Sequence, residues 1–62
     1  MLVYFTDAVS NEQIAINPVH VTCVFTAKEG DMQGKTVISV INGNLIVTQD
    51  LTNVVGVLQG QL

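Results

Sequence analysis

Between Thr36 and Asp50 the chain reads TVISVINGNLIVTQD, two runs of alternating apolar and polar residues that meet at Asn42-Gly43. Period-two alternation is a strand signal, and Asn-Gly supplies the two positive φ values of a type I′ turn, so this stretch predicts a tight hairpin. With Asn42 and Gly43 as the loop, Ile41 faces Asn44, Val40 faces Leu45, Ser39 faces Ile46, Ile38 faces Val47 and Val37 faces Thr48. One face then carries Ile38, Val40, Leu45 and Val47. The other carries Val37, Ser39, Ile41, Asn44, Ile46 and Thr48, which is half apolar, unlike the polar outer face of a solvated sheet. A cover for that second face is therefore expected.

Leu2 to Thr6 is β-branched and aromatic and predicts a first strand, followed by a loop from Asp7 to Asn11. Gln13 to Ile16 reads as a short run antiparallel to it and ends at Asn17-Pro18. Proline cannot donate to a ladder, so Pro18 predicts a bend, here within one long strand. Beyond it Val19, Val21, Cys23 and Phe25 alternate with His20, Thr22, Val24 and Thr26, giving an apolar and a mostly polar face. Lys28 to Lys35 predicts a solvated loop. Leu51, Val54, Val55 and Leu58 fit helical spacing, yet Val54 to Leu58 also fits a strand. Valines and the interior Gly56 disfavour helix by several tenths of a kcal/mol each. A 3₁₀ turn at Leu51 to Asn53 followed by a short last strand is thus the expectation, with a C-terminal helix as the runner-up. The tail Gln59 to Leu62 is expected to fray.

This order predicts an all-β fold, a small five-stranded SH3-like barrel spanning 1–62 as one domain, with the 3₁₀ turn before its last strand. Partial closure would leave two edges, the last strand and Asn44 to Gln49. Pairing one with the other between copies is a heterologous contact that closes into a homo-oligomeric ring when the rotation permits.

Composition strengthens the case for assembly. A chain of 62 residues buries only about 60% of its unfolded surface, and small domains compensate with disulfides, metals or oligomerisation. One Cys and one His supply neither an internal disulfide nor a zinc site. Charged residues are 11% of the chain and hydrophobic ones 48%, against about 25% charged in average domains. Much of that surface expects a partner. The net charge of −3, with no arginine, argues against generic duplex binding, which draws its affinity from Lys and Arg. With no basic-then-apolar leader and no apolar run near the roughly 18 residues of a span, the expectation is a soluble cytoplasmic protein with no membrane partner.

Few residues offer chemistry. His20 stands alone, Cys23 falls on the expected apolar face as a small buried hydrophobe, and Glu29 with Asp31 falls short of a calcium set. Gly34-Lys35-Thr36 imitates the end of a phosphate loop, but Glu29 stands where its first glycine belongs. No nucleophile, base and orienter can be assembled, so the expectation is no enzyme and no cofactor. Lys28 and Lys35 flank one loop and are the only cationic feature.

The steps Ile16-Asn17-Pro18, His20-Val21, Val24-Phe25, Gly34-Lys35-Thr36, Asn42-Gly43 and Val54-Val55-Gly56 with Leu58 resemble short Sm/LSm-like proteins of marine metagenomes attributed to cyanophages. The resemblance implies a five-stranded Sm-like barrel, a homo-oligomeric ring in a host cytoplasm and binding of single-stranded RNA or DNA. The contacting loops would supply Lys28, Lys35, Gln49 and Asn53. The family's Asp-x-x-x-Asn and Arg-Gly signatures are missing from these loops. Ile16-Asn17-Pro18, Asn42-Gly43 and Val54-Val55 also resemble a short flagellar and swarming-motility family, which implies a valine-rich C-terminal helix. Two functional expectations follow: a ring-forming single-strand binder, or a structural or adaptor protein that assembles through its apolar surface without nucleic acid.

Overall fold

The computed structural model describes residues 1–60. In chain order it contains β1 (Val3–Thr6), β2 (Gln13–Ile16), a 3₁₀ turn (Pro18–His20), β3 (Val21–Thr26), β4 (Thr36–Val40), β5 (Gly43–Val47) and α1 (Leu51–Gly60). The strands form two antiparallel sheets, β1-β2 and β3-β4-β5, and neither closes into a barrel. The all-β, five-stranded barrel expected from the sequence is therefore corrected: there are five strands, but the last expected one is a helix.

The first correction starts at Asp50. Its carboxylate Oδ1 accepts from the Asn53 N–H at 2.8 Å, and its carbonyl accepts from Val54 N at 3.0 Å. That is an N-cap in front of helically spaced apolar residues. Val54 and Leu58, one turn apart, are buried, and Val57 packs beside them. The weak propensity of valine and glycine costs tenths of a kcal/mol per residue, whereas burying a Val or Leu side chain contributes about 1.5–3 kcal/mol, so packing wins. The residues expected as a 3₁₀ turn, Leu51 to Asn53, are the first turn of this helix. Gln59 and Gly60 of the expected frayed tail belong to it, and residues 61–62 lie outside the described residues.

The second correction lies at Pro18. Asn17 Oδ1 accepts from Val19 N at 3.1 Å and the Asn17 carbonyl accepts from His20 N at 3.0 Å, which caps a 3₁₀ turn with Pro18 at its start. Proline at the first helical position loses nothing by lacking an N–H. The expected long bent strand is thereby cut into β2 and β3, which belong to different sheets. β1 and β2 pair as expected, with Val3 opposite Ile16 and Phe5 opposite Ile14 on the core side.

The third correction is one of register. β4 and β5 pair Val40 with Gly43, Ile38 with Leu45, Val37 with Ile46 and Thr36 with Val47, so the two loop residues are Ile41 and Asn42. Among the described residues Asn11 is the non-glycine residue with positive φ, at 62°, and the expected type I′ geometry at Asn42 is not adopted. Each partner has moved by two positions from the expected register. A slip of one would exchange the faces, but a slip of two preserves them. Ile38, Val40, Leu45 and Val47 accordingly still share the inner face.

A single core fills the space between the two sheets and the helix. Its buried members are Val3, Phe5, Ile16, Ile38, Val47, Val54 and Leu58, with Ile14, Val21, Val24, Val40, Leu45 and Val57 packed around them. The helix lies against β3. Main-chain bonds also join the sheets: Ala8 N donates to Ile46 O at 2.8 Å and Thr48 N donates to Thr6 O at 3.0 Å, around a bridge between Asp7 and Val47.

Candidate interaction surface

The strand expected to bury Cys23 and Phe25 instead turns them outward. β3 pairs Val21 with Val40, but then Cys23 with Ser39, Val24 with Ile38 and Phe25 with Val37, so one extra residue, Thr22, is inserted. A bulge of one residue exchanges the two faces beyond it. Val21 and Val24 therefore both reach the core, while Cys23 and Phe25 are exposed. The Thr22 hydroxyl donates to Ser39 O at 3.0 Å and ties the bulge to β4. The expectation that Cys23 is a buried small hydrophobe is corrected. Its only forewarning in the sequence is Val24, an apolar residue out of phase with its neighbours.

On this outer face Phe25, Val37 and Ile46 form one cross-strand row, and Cys23, Ser39 and Asn44 form the next. Val37 is buried although it lies outside the main core cluster. Ile46 is half-buried and Phe25 is 45% exposed. The second face of the hairpin is thus partly buried at this row. Neither row holds a charged side chain; the two lysines and five carboxylates of the chain all lie outside the strands and the helix.

The four positions expected to contact nucleic acid are not equivalent. Lys28 and Lys35 are exposed in the loop between β3 and β4. Ala27 N donates to Lys35 O at 2.8 Å and Gly34 N to Ala27 O at 2.9 Å, closing the base of the loop and bringing its two ends together. Gly30 and Gly34 hold φ of 81° and 88° inside it, the left-handed region where glycine is favoured. Glu29 and Asp31 share the loop, so its charges cancel. Gln49 is half-buried and engaged: Thr6 N donates to its Oε1 at 3.1 Å and its Nε2 donates to the Thr6 hydroxyl at 3.4 Å. Asn53 is exposed in the first turn of α1. The structure brings Lys28 near Lys35 along the chain's path, but Gln49 serves the seam between the sheets.

His20 ends the 3₁₀ turn rather than standing in a strand, and it is exposed. No group of at least three His, Cys, Asp or Glu side chains that could hold a metal forms among the described residues, and no pocket opens among them. No helix among the described residues is long and apolar enough to cross a membrane.

The loop expected from Asp7 to Asn11 is present, and a carboxylate not singled out from the sequence orders it. The Asp7 carboxylate accepts from Val9 N at 2.7 Å and Ser10 N at 3.0 Å, and Asn11 N returns to Asp7 O at 2.9 Å. An Asp followed by Ser and Asn is a turn signal with that mechanism. The bonds from the Ser10 and then the Val9 amide hold the Asp7 carboxyl below its ordinary range. In comparisons with known proteins, no family model matches the chain, and no curated protein or solved structure matches it either.

Proposed function

We propose that this chain is a non-enzymatic assembly module, a structural or adaptor protein that meets another protein surface through the outer face of the β3-β4-β5 sheet. The observation that carries this reading is Phe25, held 45% exposed by the Thr22 bulge beside buried Val37. An aromatic residue offers roughly 200 Å², so covering the exposed part removes roughly 90 Å² from water and contributes about 2 kcal/mol. Aromatic anchors of this kind carry interfaces, and depletion of charge marks their centres.

Single-strand binding, the reading carried by the Sm-like resemblance, has less support. Of its four contacts Gln49 is committed to Thr6, and Lys28 and Lys35 share their loop with two acids. It would show as salt-sensitive oligonucleotide binding lost in a Lys28→Ala, Lys35→Ala double variant.

A photo-crosslinking residue placed at position 25 tests the assembly reading in cells that make the protein. A protein adduct at position 25 that is absent from a probe at the hairpin tip, Ile41, is the expected result. Ile41 is itself 71% exposed, so equal labelling at both sites, or none at either, would sink the proposal.

A further inference from the structure

The two edges of the β3-β4-β5 sheet are treated differently by the rest of the chain. The β5 edge is bonded to Thr6 and Ala8. β3 pairs with β4 alone, and its outer edge has no strand beside it among the described residues. The helix does not substitute for one, because Val54 and Leu58 pack into the core on the face that Val21 and Val24 line, whereas the peptide groups of an edge point sideways in the plane of the sheet.

Natural edge strands are guarded by lysines, prolines, inward charges or bulges. Val21 to Thr26, VTCVFT, contains no charged residue and no proline. Its one guard is the bulge at Thr22, which lies near the start and leaves Cys23 to Thr26 in regular register with β4.

We propose that a second copy of this chain fills that edge, β3 pairing antiparallel with β3 about a two-fold axis to make one continuous sheet across two copies. This deepens the assembly reading above and rests on it. A strand facing itself about a two-fold is isologous, so both copies satisfy the same peptide groups. Opposed residues of an antiparallel pair share a face, and an axis beside Val24 meets that condition: Val24 meets Val24 on the core side, and Cys23 of each copy meets Phe25 of the other on the outer side. Charge does not oppose a like partner at this edge, and the edge offers no charge to attract an acidic or basic one. The net charge of −3 is carried by loops and by Asp50, none of it by β3, and the loop following β3 balances Lys28 and Lys35 against Glu29 and Asp31. A standard interface buries about 800 Å² per partner, roughly a fifth of the 4154 Å² of this surface. One edge strand covers less, so the pairing is expected to be weak and to depend on concentration.

The test is sedimentation of the native chain from low micromolar to near-millimolar concentration, in excess reductant so that a Cys23 disulfide cannot imitate strand pairing, with amide exchange read at both ends of the range. A dimer whose β3 amides gain protection with concentration, weakened at least 10-fold by Cys23→Lys and unchanged by Asn44→Lys, supports the proposal. Both side chains are exposed, and a thermal melt of each variant confirms folding. A monomer at near-millimolar concentration overturns the proposal, as does a dimer without added β3 protection. A dimer broken by Asn44→Lys but not by Cys23→Lys also overturns it, while leaving assembly through the sheet face standing. A monomer that still crosslinks to a different protein through position 25 separates the two in the same way.

Discussion

The β5 and β3 edges belong to one sheet, yet one is closed by the chain and the other has no strand beside it among the described residues. At β5 the chain returns through Thr6 to Ala8, two main-chain bonds form, and Gln49 clamps Thr6 from the side. At β3 the helix packs with Val21 and Val24 in the core, and among the described residues no strand lies along the outer edge. Hydrophobic cover and hydrogen-bond closure are thus separate jobs, performed here by different segments. The sequence-based expectation placed the assembly edge at Asn44 to Gln49 and at a last strand; the first is stitched from Ile46 to Gln49, and the second is helical.

The largest blow to this contrast is a change in β4, which both edges share. Ile38 is fully buried, so Ile38→Ala is expected to cost about 2–5 kcal/mol. A chain of this size has roughly 3–9 kcal/mol in total, and most of that would be lost. Amide exchange should then rise in β3 and β5 alike. Faster exchange confined to one strand would mean the two edges do not share a core.

Gln49→Ala separates them. It deprives the Thr6 N–H of its acceptor at a half-buried site, a loss of about 1–2 kcal/mol. Exchange at Thr6, Ala8 and Thr48 should accelerate while β3 is unchanged, which NMR can follow residue by residue. The complementary change is Asp50→Ala. Losing the cap on Asn53 N costs about 1 kcal/mol, lowers the helical circular dichroism and loosens the β3 side before the β5 stitch.

The smallest effect is the acid response of the turn beside the stitch. Asp7 has a folded-state pKa lower than its unfolded value, so its ionised form is favoured by folding. The stabilisation is full above the unfolded value of about 3.9 and is lost as pH falls from there through the lower folded value. Urea unfolding of the native chain and of Asp7→Asn should therefore differ most above that pH and converge on acidification. A difference that stays constant with pH would remove Asp7 from the account.

Much of the architecture was legible. Alternation located β4 and β5 and assigned Ile38, Val40, Leu45 and Val47 to one face, and that face is the inner one. The pairing of β1 with β2 also followed from the pattern. The hairpin register was not legible, because a two-position slip leaves the faces unchanged and the hydrophobic pattern cannot choose between the two. The orientation of β3 was misread for a related reason. A single inserted residue at Thr22 reverses the phase, and nothing local to VTCVFT requires the insertion. Asp50, by contrast, carried a readable cap signal that outweighed valine propensity once Val54 and Leu58 found a core.

By itself the sequence determined which residues are apolar, where the chain must turn, and that charge is confined to a few positions. Those properties are local or compositional. Only the tertiary structure decided that the last segment is a helix, that Gln49 belongs to a seam, and that Phe25 and the β3 edge face outward. Each of these depends on what a segment packs against, and long-range contact is the one quantity that alternation and propensity do not encode.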